Sequence, residues 1–135
     1  MIITWSEDLE IGDECIDMQH KELVEMFNAL VAACSAGRGQ DELERALDFL
    51  CEYTVKHFHD EEALQIKIDY PELMSHKQHH ENFKVTVTNL IAMFKEGGPS
   101  LSILARLNID VGEWLIKHIK HEDKKLEPYV KKYNL

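Results

Sequence analysis

The chain has 135 residues, and 44% hydrophobic content with three prolines and no low-complexity run marks one globular domain with a real core. A formal charge of −10 argues against nucleic acid or an anionic membrane surface as partner, since both require a positive face. No apolar run approaches the ~18–20 residues of a membrane span, and residues 1–7 lack the pattern of a secretory leader, so a cytoplasmic protein without membrane insertion is expected.

Residues 1–12 alternate apolar positions (Ile3, Trp5, Leu9, Ile11) without a helical period, which predicts an ordered N-terminal arm with Trp5 packed on the body. Asp13 is placed to cap a first helix running to about Ser35, where Ala36-Gly37-Arg38-Gly39 ends it. Its apolar stripe is Leu23, Phe27, Leu30 and Cys34, and His20 lies on that stripe. A second helix is read from Asp41, with Glu44 three residues on as its capping-box partner. Its inward row is Leu43, Leu47, Leu50, Thr54, His57, Glu61 and Leu64.

After a break at 67–70, Pro71 suits the first turn of a third helix that reaches about Glu96. Its row is Leu73, His76, His80, Phe83, Val87, Leu90 and Phe94. Gly97-Gly98-Pro99 ends it, Ser100 caps a fourth helix, and that row reads Leu101, Leu104, Asn108, Val111, Leu115 and His118. Pro128 closes the pattern and leaves a short C-terminal segment. Helices of ~20 residues, ~30 Å long, joined by short loops predict an all-α, antiparallel up-down-up-down four-helix bundle. The three cysteines, Cys15, Cys34 and Cys51, form no Cys-x-x-Cys pair and are read as reduced thiols, the last two among core residues.

Histidines and acids on the inward rows need explaining, because Leu or Phe would pack better there. Any one of these histidines alone reads as a surface or hydrogen-bonded core residue. Their recurrence on four helices changes that reading. His20 is early in the first helix, His57 late in the second, His76 early in the third and His118 late in the fourth, and antiparallel packing gathers them at one end. Buried carboxylates survive by ion pairing, protonation or metal coordination, and the rows carry almost no Lys or Arg.

Five imidazoles and two carboxylates exceed one tetrahedral zinc, and neither His-Glu-x-x-His nor Glu-x-x-His occurs. Two carboxylate-bridged metals use such a set, and imidazole-rich, thiolate-free ligation suits iron, although manganese, cobalt and zinc fit as well.

These residues, with His-Phe-His-Asp-Glu-Glu at 57–62, Tyr-Pro at 70–71, Trp-Leu-Ile-Lys-His-Ile at 114–119 and Asp-Met-Gln-His at 17–20, resemble the hemerythrin family, particularly its stand-alone bacterial type. The resemblance runs from Trp5 to Asp123. It implies two Fe ions joined by an oxo or hydroxo bridge, one held by His76, His80 and His118, the other by His20 and His57, with Glu61 and Asp123 bridging. The two-histidine iron would keep an open position for dioxygen, inside an apolar pocket of Leu23, Phe58, Phe83, Trp114, Leu115 and Ile119.

Helical geometry favours Glu122, four residues after His118, whereas the family pattern points to Asp123. Loosened or π-bulged backbone between 118 and 123 would reconcile the two. His59, His79 and His121 are expected to be exposed, His79 being the nearest exception. Leu126 departs from the tyrosine that many animal relatives carry.

The function implied is reversible dioxygen binding for storage, delivery or buffering, without enzymatic turnover as the primary role. Alternatives are an oxygen or redox sensor acting through a partner protein, and a diiron oxidoreductase acting on peroxide, nitric oxide or ferrous iron. An oxygen-using enzyme or a signalling protein would be the macromolecular partner, and a monomer is preferred.

Overall fold

A computed structural model describes residues 2–135, which are all-α, with no strand among them. The arm contains a short 3₁₀ turn, Glu7–Leu9, and leads into α1 (Glu14–Ser35), α2 (Gln40–Lys67) and α3 (Leu73–Gly97). The fourth rod is composite. It comprises α4 (Leu101–Arg106), a π-helical stretch (Leu107–Glu113) and α5 (Trp114–His121), with helical dihedrals at both junctions. A 3₁₀ turn (Asp123–Leu126) and α6 (Glu127–Tyr133) follow. No helix among the described residues is long and apolar enough to cross a membrane.

α1 and α2 run in opposite directions, as do α2 and α3. Gln19, early in α1, bonds His57, late in α2, and Lys95, late in α3, lies 3.8 Å from both Glu44 and Asp48, early in α2. The core between them contains Leu23, Phe27, Leu30, Leu43, Leu47, Phe83, Val87 and Phe94. All three cysteines are free, Cys15 exposed and the other two half-buried against this core.

Two caps follow the sequence. The Asp13 carboxylate accepts from the Ile16 amide (3.1 Å) and Ser100 Oγ from the Ile103 amide (3.1 Å). Two starts differ. The α2 cap is Gly39, whose extended backbone lets its carbonyl accept the Leu43 amide (3.1 Å), so Asp41 lies inside the first turn, facing the positive end of the helix dipole. Pro71 lies in the turn before α3, which opens at the Glu72 carbonyl with the His76 amide bonded to it at 3.0 Å.

The inward row of the fourth rod also differs from the sequence reading in its first half. Leu101 is 86% exposed, Leu104 and Asn108 are only half-buried, and the buried row is Ile103, Leu107, Val111 and Leu115. Successive steps of four residues drift about 40° each on an ideal α-helix, and the π stretch absorbs that drift. It also brings Gly112 against α1, where an added Cβ would lie 2.4 Å from Phe27 Cζ.

The arm and the C-terminal segment close the end of the bundle where the histidines gather. Ile3 exchanges two hydrogen bonds with Asn28 (2.9 and 2.8 Å), and the Asp17 carboxylate accepts the Ile11 and Gly12 amides (2.8 and 3.1 Å). Lys124 Nζ donates to the Glu10 carbonyl at 2.6 Å, tying arm to C-terminal turn. Beneath them Ile11, Ile16, Ile68, Tyr70, Leu126 and Val130 form a second small core.

Gly112→Ala should destabilise the protein. Overpacking against the fully buried Phe27 ring costs about 1–3 kcal/mol, against at most ~1 kcal/mol gained in helix propensity. Denaturant unfolding should show a lower midpoint for Gly112→Ala and partial recovery in the double variant with Phe27→Leu. An unchanged midpoint would show that the ring yields.

Candidate metal centre

Each long rod contributes to one buried cluster. His20 comes from α1, His57 and Glu61 one turn apart from α2, His76 and His80 one turn apart from α3, His118 from α5 and Asp123 from the following 3₁₀ turn. These seven side chains are buried, with His20, Glu61 and His80 fully inaccessible. Their ligand atoms fall into two groups, each within a 4.8 Å span: Glu61, His76, His80, His118 and Asp123, and His20, His57, Glu61 and Asp123.

The two carboxylates belong to both groups, one oxygen to each. Glu61 Oε1 is 2.8 Å from His76 Nε2 and 3.2 Å from His80 Nε2, while Oε2 is 3.1 Å from His20 Nε2 and 3.3 Å from His57 Nε2. Asp123 repeats the division, Oδ1 at 2.9 Å from His76 and 3.0 Å from His118, Oδ2 at 3.1 Å from His20. The donors thus form two groups that share both carboxylates, with three imidazoles in one group and two in the other.

Hydrogen bonds outside the cluster set the ring orientations. Gln19 Nε2 donates to Asp60 (2.8 Å), which leaves its Oε1 to accept from His57 Nδ1–H (2.8 Å). Glu62 Oε2 accepts from His80 Nδ1–H at 2.8 Å. Both bonds hold the proton on the far nitrogen and turn the Nε2 lone pair to the centre.

Two adjacent buried carboxylates demand positive charge. Burial and the charge of Glu61 push the Asp123 pKa up, yet His118 and His20 bring it down below the usual carboxylate range. Burial likewise opposes the Glu61 charge, but the imidazoles around it, His20 first and then His57, His76 and His80, hold its pKa well below normal. In the metal-free chain protons supply the charge. Burial lowers the His20 and His76 pKa values, but Asp123 and Glu61 outweigh it and raise both to about 10. Burial dominates at His57 and lowers its pKa, favouring the neutral form a metal needs.

The donor set fits metal better than protons. Both Asp123 oxygens are buried and lack a hydrogen bond of acceptable geometry despite three imidazole nitrogens within 3.1 Å. His80 Nε2 and His118 Nε2 converge to 3.2 Å. Nitrogen and oxygen donor atoms crowded onto a common point are what a cation satisfies. Nitrogen and oxygen donors without thiolate suit iron, manganese, cobalt or zinc.

The structure brings all seven sequence-selected residues together, with Asp123 rather than Glu122 inside. The α-helix ends at His121, and the 3₁₀ turn swings Asp123 inward while Glu122 Oε2 points to Lys125 (3.5 Å) and His79 (4.0 Å). The regular helix does end within 118–123, but through a tighter 3₁₀ turn and not the expected π-bulge or loosening, with the Glu122 amide still on the His118 carbonyl at 2.8 Å; the π stretch lies further upstream, at 107–113. His59, His79 and His121 are exposed, and the His79 ring sits 6.1 Å from that of His118.

Of the six apolar residues, Leu23, Phe58, Phe83, Leu115 and Ile119 are buried in one core and Trp114 packs on it. Phe58 stacks on His80 (3.8 Å, 4°) and Trp114 on His118 (4.3 Å, 10°), whereas Phe83 reaches the centre only through those two rings. Gln19 and Glu62 escaped sequence reasoning, although each adjoins a ligand, the position from which a side chain reaches a neighbouring helix's imidazole.

The hemerythrin family, described as the hemerythrin HHE cation binding domain, matches residues 12–130. A Stenotrophomonas maltophilia protein named bacteriohemerythrin is 34% identical over 131 residues, covering 96% of this chain and 82% of its own. A Pseudomonas aeruginosa protein of the same name is 33% identical, covering 90% of this chain and 76% of its own. One from Campylobacter jejuni is 29% identical, covering 94% of this chain and 95% of its own.

His57→Ala should lower the metal bound per chain in elemental analysis, while His59→Ala, whose side chain is 85% exposed, should leave it unchanged. Equal losses would defeat the assignment. The metal-free chain should also lose thermal stability in alkali. The folded pKa of His20 and His76, about 10, exceeds the unfolded value of ~6.5, so their contribution is complete below ~6.5 and disappears as pH rises through 10. The metal-loaded chain should show a flatter melting-temperature profile between pH 7 and 10, and parallel profiles would contradict this origin.

Proposed function

The chain belongs to the hemerythrin HHE cation-binding family, and from that premise we propose that it is a non-haem diiron protein that binds dioxygen reversibly. The observation carrying this reading is the sharing of two carboxylates between two groups of unequal imidazole count, three on one side and two on the other. The side with two imidazoles has one protein donor fewer, which leaves a coordination position there for an exogenous ligand. Iron bound in both positions supplies the two electrons that dioxygen capture takes up and release returns.

The chain's own residues hold, shield and neutralise. Glu61 and Asp123 each present one oxygen to either side, so the pair keeps both positions in register while one side changes its ligand. Gln19 and Glu62 keep His57 and His80 from rotating. Leu23, Phe58, Phe83, Leu115 and Ile119, buried in the adjoining core, with Trp114 packed against it, exclude water and outside proton donors. Reversibility depends on that exclusion, because a proton delivered from outside would release reduced oxygen instead of dioxygen.

An imidazole-rich set also leaves the centre less anionic than a carboxylate-rich one, which disfavours the higher oxidation states that oxidase chemistry uses. We therefore read the protein as a cytoplasmic single-domain carrier that stores, buffers or delivers dioxygen, with its action as a sensor through a partner as the second reading.

Anaerobic loading with ferrous iron, followed by optical spectra on admitting and then removing air, tests this. A visible charge-transfer band should appear with dioxygen and vanish without it over repeated cycles. Direct, irreversible conversion to the ferric form would overturn the carrier reading in favour of a sensor or an oxidoreductase.

A further inference from the structure

The two metal positions differ in more than their count of imidazoles. In each set one ring has its far nitrogen tied to a side chain: His80 to Glu62 on the three-histidine side, His57 to Gln19 on the two-histidine side, both at 2.8 Å. His20 Nδ1 and His76 Nδ1 are buried without a partner, so these two bonds set His80 and His57 apart from the other rings of their groups. One acceptor is a carboxylate and the other a neutral amide.

A carboxylate accepting from Nδ1–H draws the proton towards itself and makes the imidazole a stronger donor through Nε2. An amide oxygen does this more weakly. Gln19 leans on a charge of its own, since its Nε2 donates to Asp60. That carboxylate is one bond further from the ring and has Lys56 Nζ 3.3 Å away, so its effect on His57 arrives diluted and partly neutralised. The Glu62 side chain is only 17% exposed, and the buried Phe58 ring stacks directly on His80. Both limit the screening of its charge.

We propose that Glu62, acting through His80, makes the three-histidine position the more easily oxidised of the two, so that the first electron leaves from there. The inference rests on the two-iron reading above. A one-electron oxidant such as ferricyanide then takes a single electron from the iron held by His76, His80 and His118. That iron passes from ferrous to ferric, ferricyanide becomes ferrocyanide, and the two-histidine iron stays ferrous. Glu62 and Gln19 are positioning residues with opposite settings, and neither reaches the metal.

Glu62→Gln keeps an acceptor oxygen for His80 and deletes the charge, while Gln19→Glu adds a charge behind His57. Stepwise potentiometric oxidation of the iron-loaded proteins and cobalt(II) titration of the metal-free ones read the two effects, the second without any redox chemistry. Glu62→Gln should raise the first couple, by about 59 mV for each tenfold change in the one-electron equilibrium, and leave the second nearly in place. It should also weaken one of two cobalt equivalents ~10–100-fold. Gln19→Glu should lower the second couple, and should it fail to fold, Glu62→Gln decides alone. Glu62→Gln moving only the second couple, or neither couple and neither cobalt affinity, overturns the proposal while the two-iron reading survives. A parent protein that takes up fewer than two metals removes both.

Discussion

Two carboxylates buried side by side, Glu61 and Asp123, are the constraint on which this molecule turns. Removing one charge from water is costly, and placing a second beside it adds repulsion, so the interior must supply positive charge. Among the described residues no Lys or Arg pairs with either one; five imidazoles surround them instead. Imidazoles give the site two ways to stay neutral. They take protons when metal is absent, as the raised pKa values of His20 and His76 indicate, and they yield lone pairs when metal is present.

That demand explains much of the surrounding architecture. Ligands one turn apart on α2 and on α3 present paired donors from rigid helices, and the reversal of chain direction brings early and late segments to one level. Asp123 comes from a 3₁₀ turn instead, so its placement depends on the C-terminal segment being held. Lys124 bound to the Glu10 carbonyl and the small core of Ile11, Tyr70, Leu126 and Val130 hold it. Arm and C-terminal segment thus belong to the metal end of the bundle as much as the helices do.

The same end combines buried metal-ligating donors with apolar walls. Phe58 and Trp114 lie flat on His80 and His118, so the rings that bind metal are packed as core residues on their outer faces. Rigid imidazoles, a shared carboxylate pair and an apolar cover are the features on which the proposed reversible binding rests, because a ligand so enclosed meets few protons. The difference between Glu62 and Gln19 then gives an otherwise shared centre two unequal halves.

The helices and the ligand types were legible in the sequence because both follow short periodicities. Apolar rows every three or four residues marked the rods, and histidines on those rows stood out where Leu or Phe belonged. Caps at Asp13 and Ser100 were legible for the same local reason, since a side-chain oxygen satisfies amides within three residues. The hidden features depended on tertiary contacts. Gly39 displaced Asp41 as a cap, and the π stretch at 107–113 moved the buried row from Leu104 and Asn108 to Ile103 and Leu107, because packing against Phe27 set the register of the fourth rod. Family pattern pointed to Asp123 against ideal helical geometry, and only the end of α5 at His121 explains how it turns inward. Gln19 and Glu62 were invisible because a hydrogen bond between helices has no sequence period: chain order determined which residues could bind metal, and the packing of one helix on another decided how each is aimed and held.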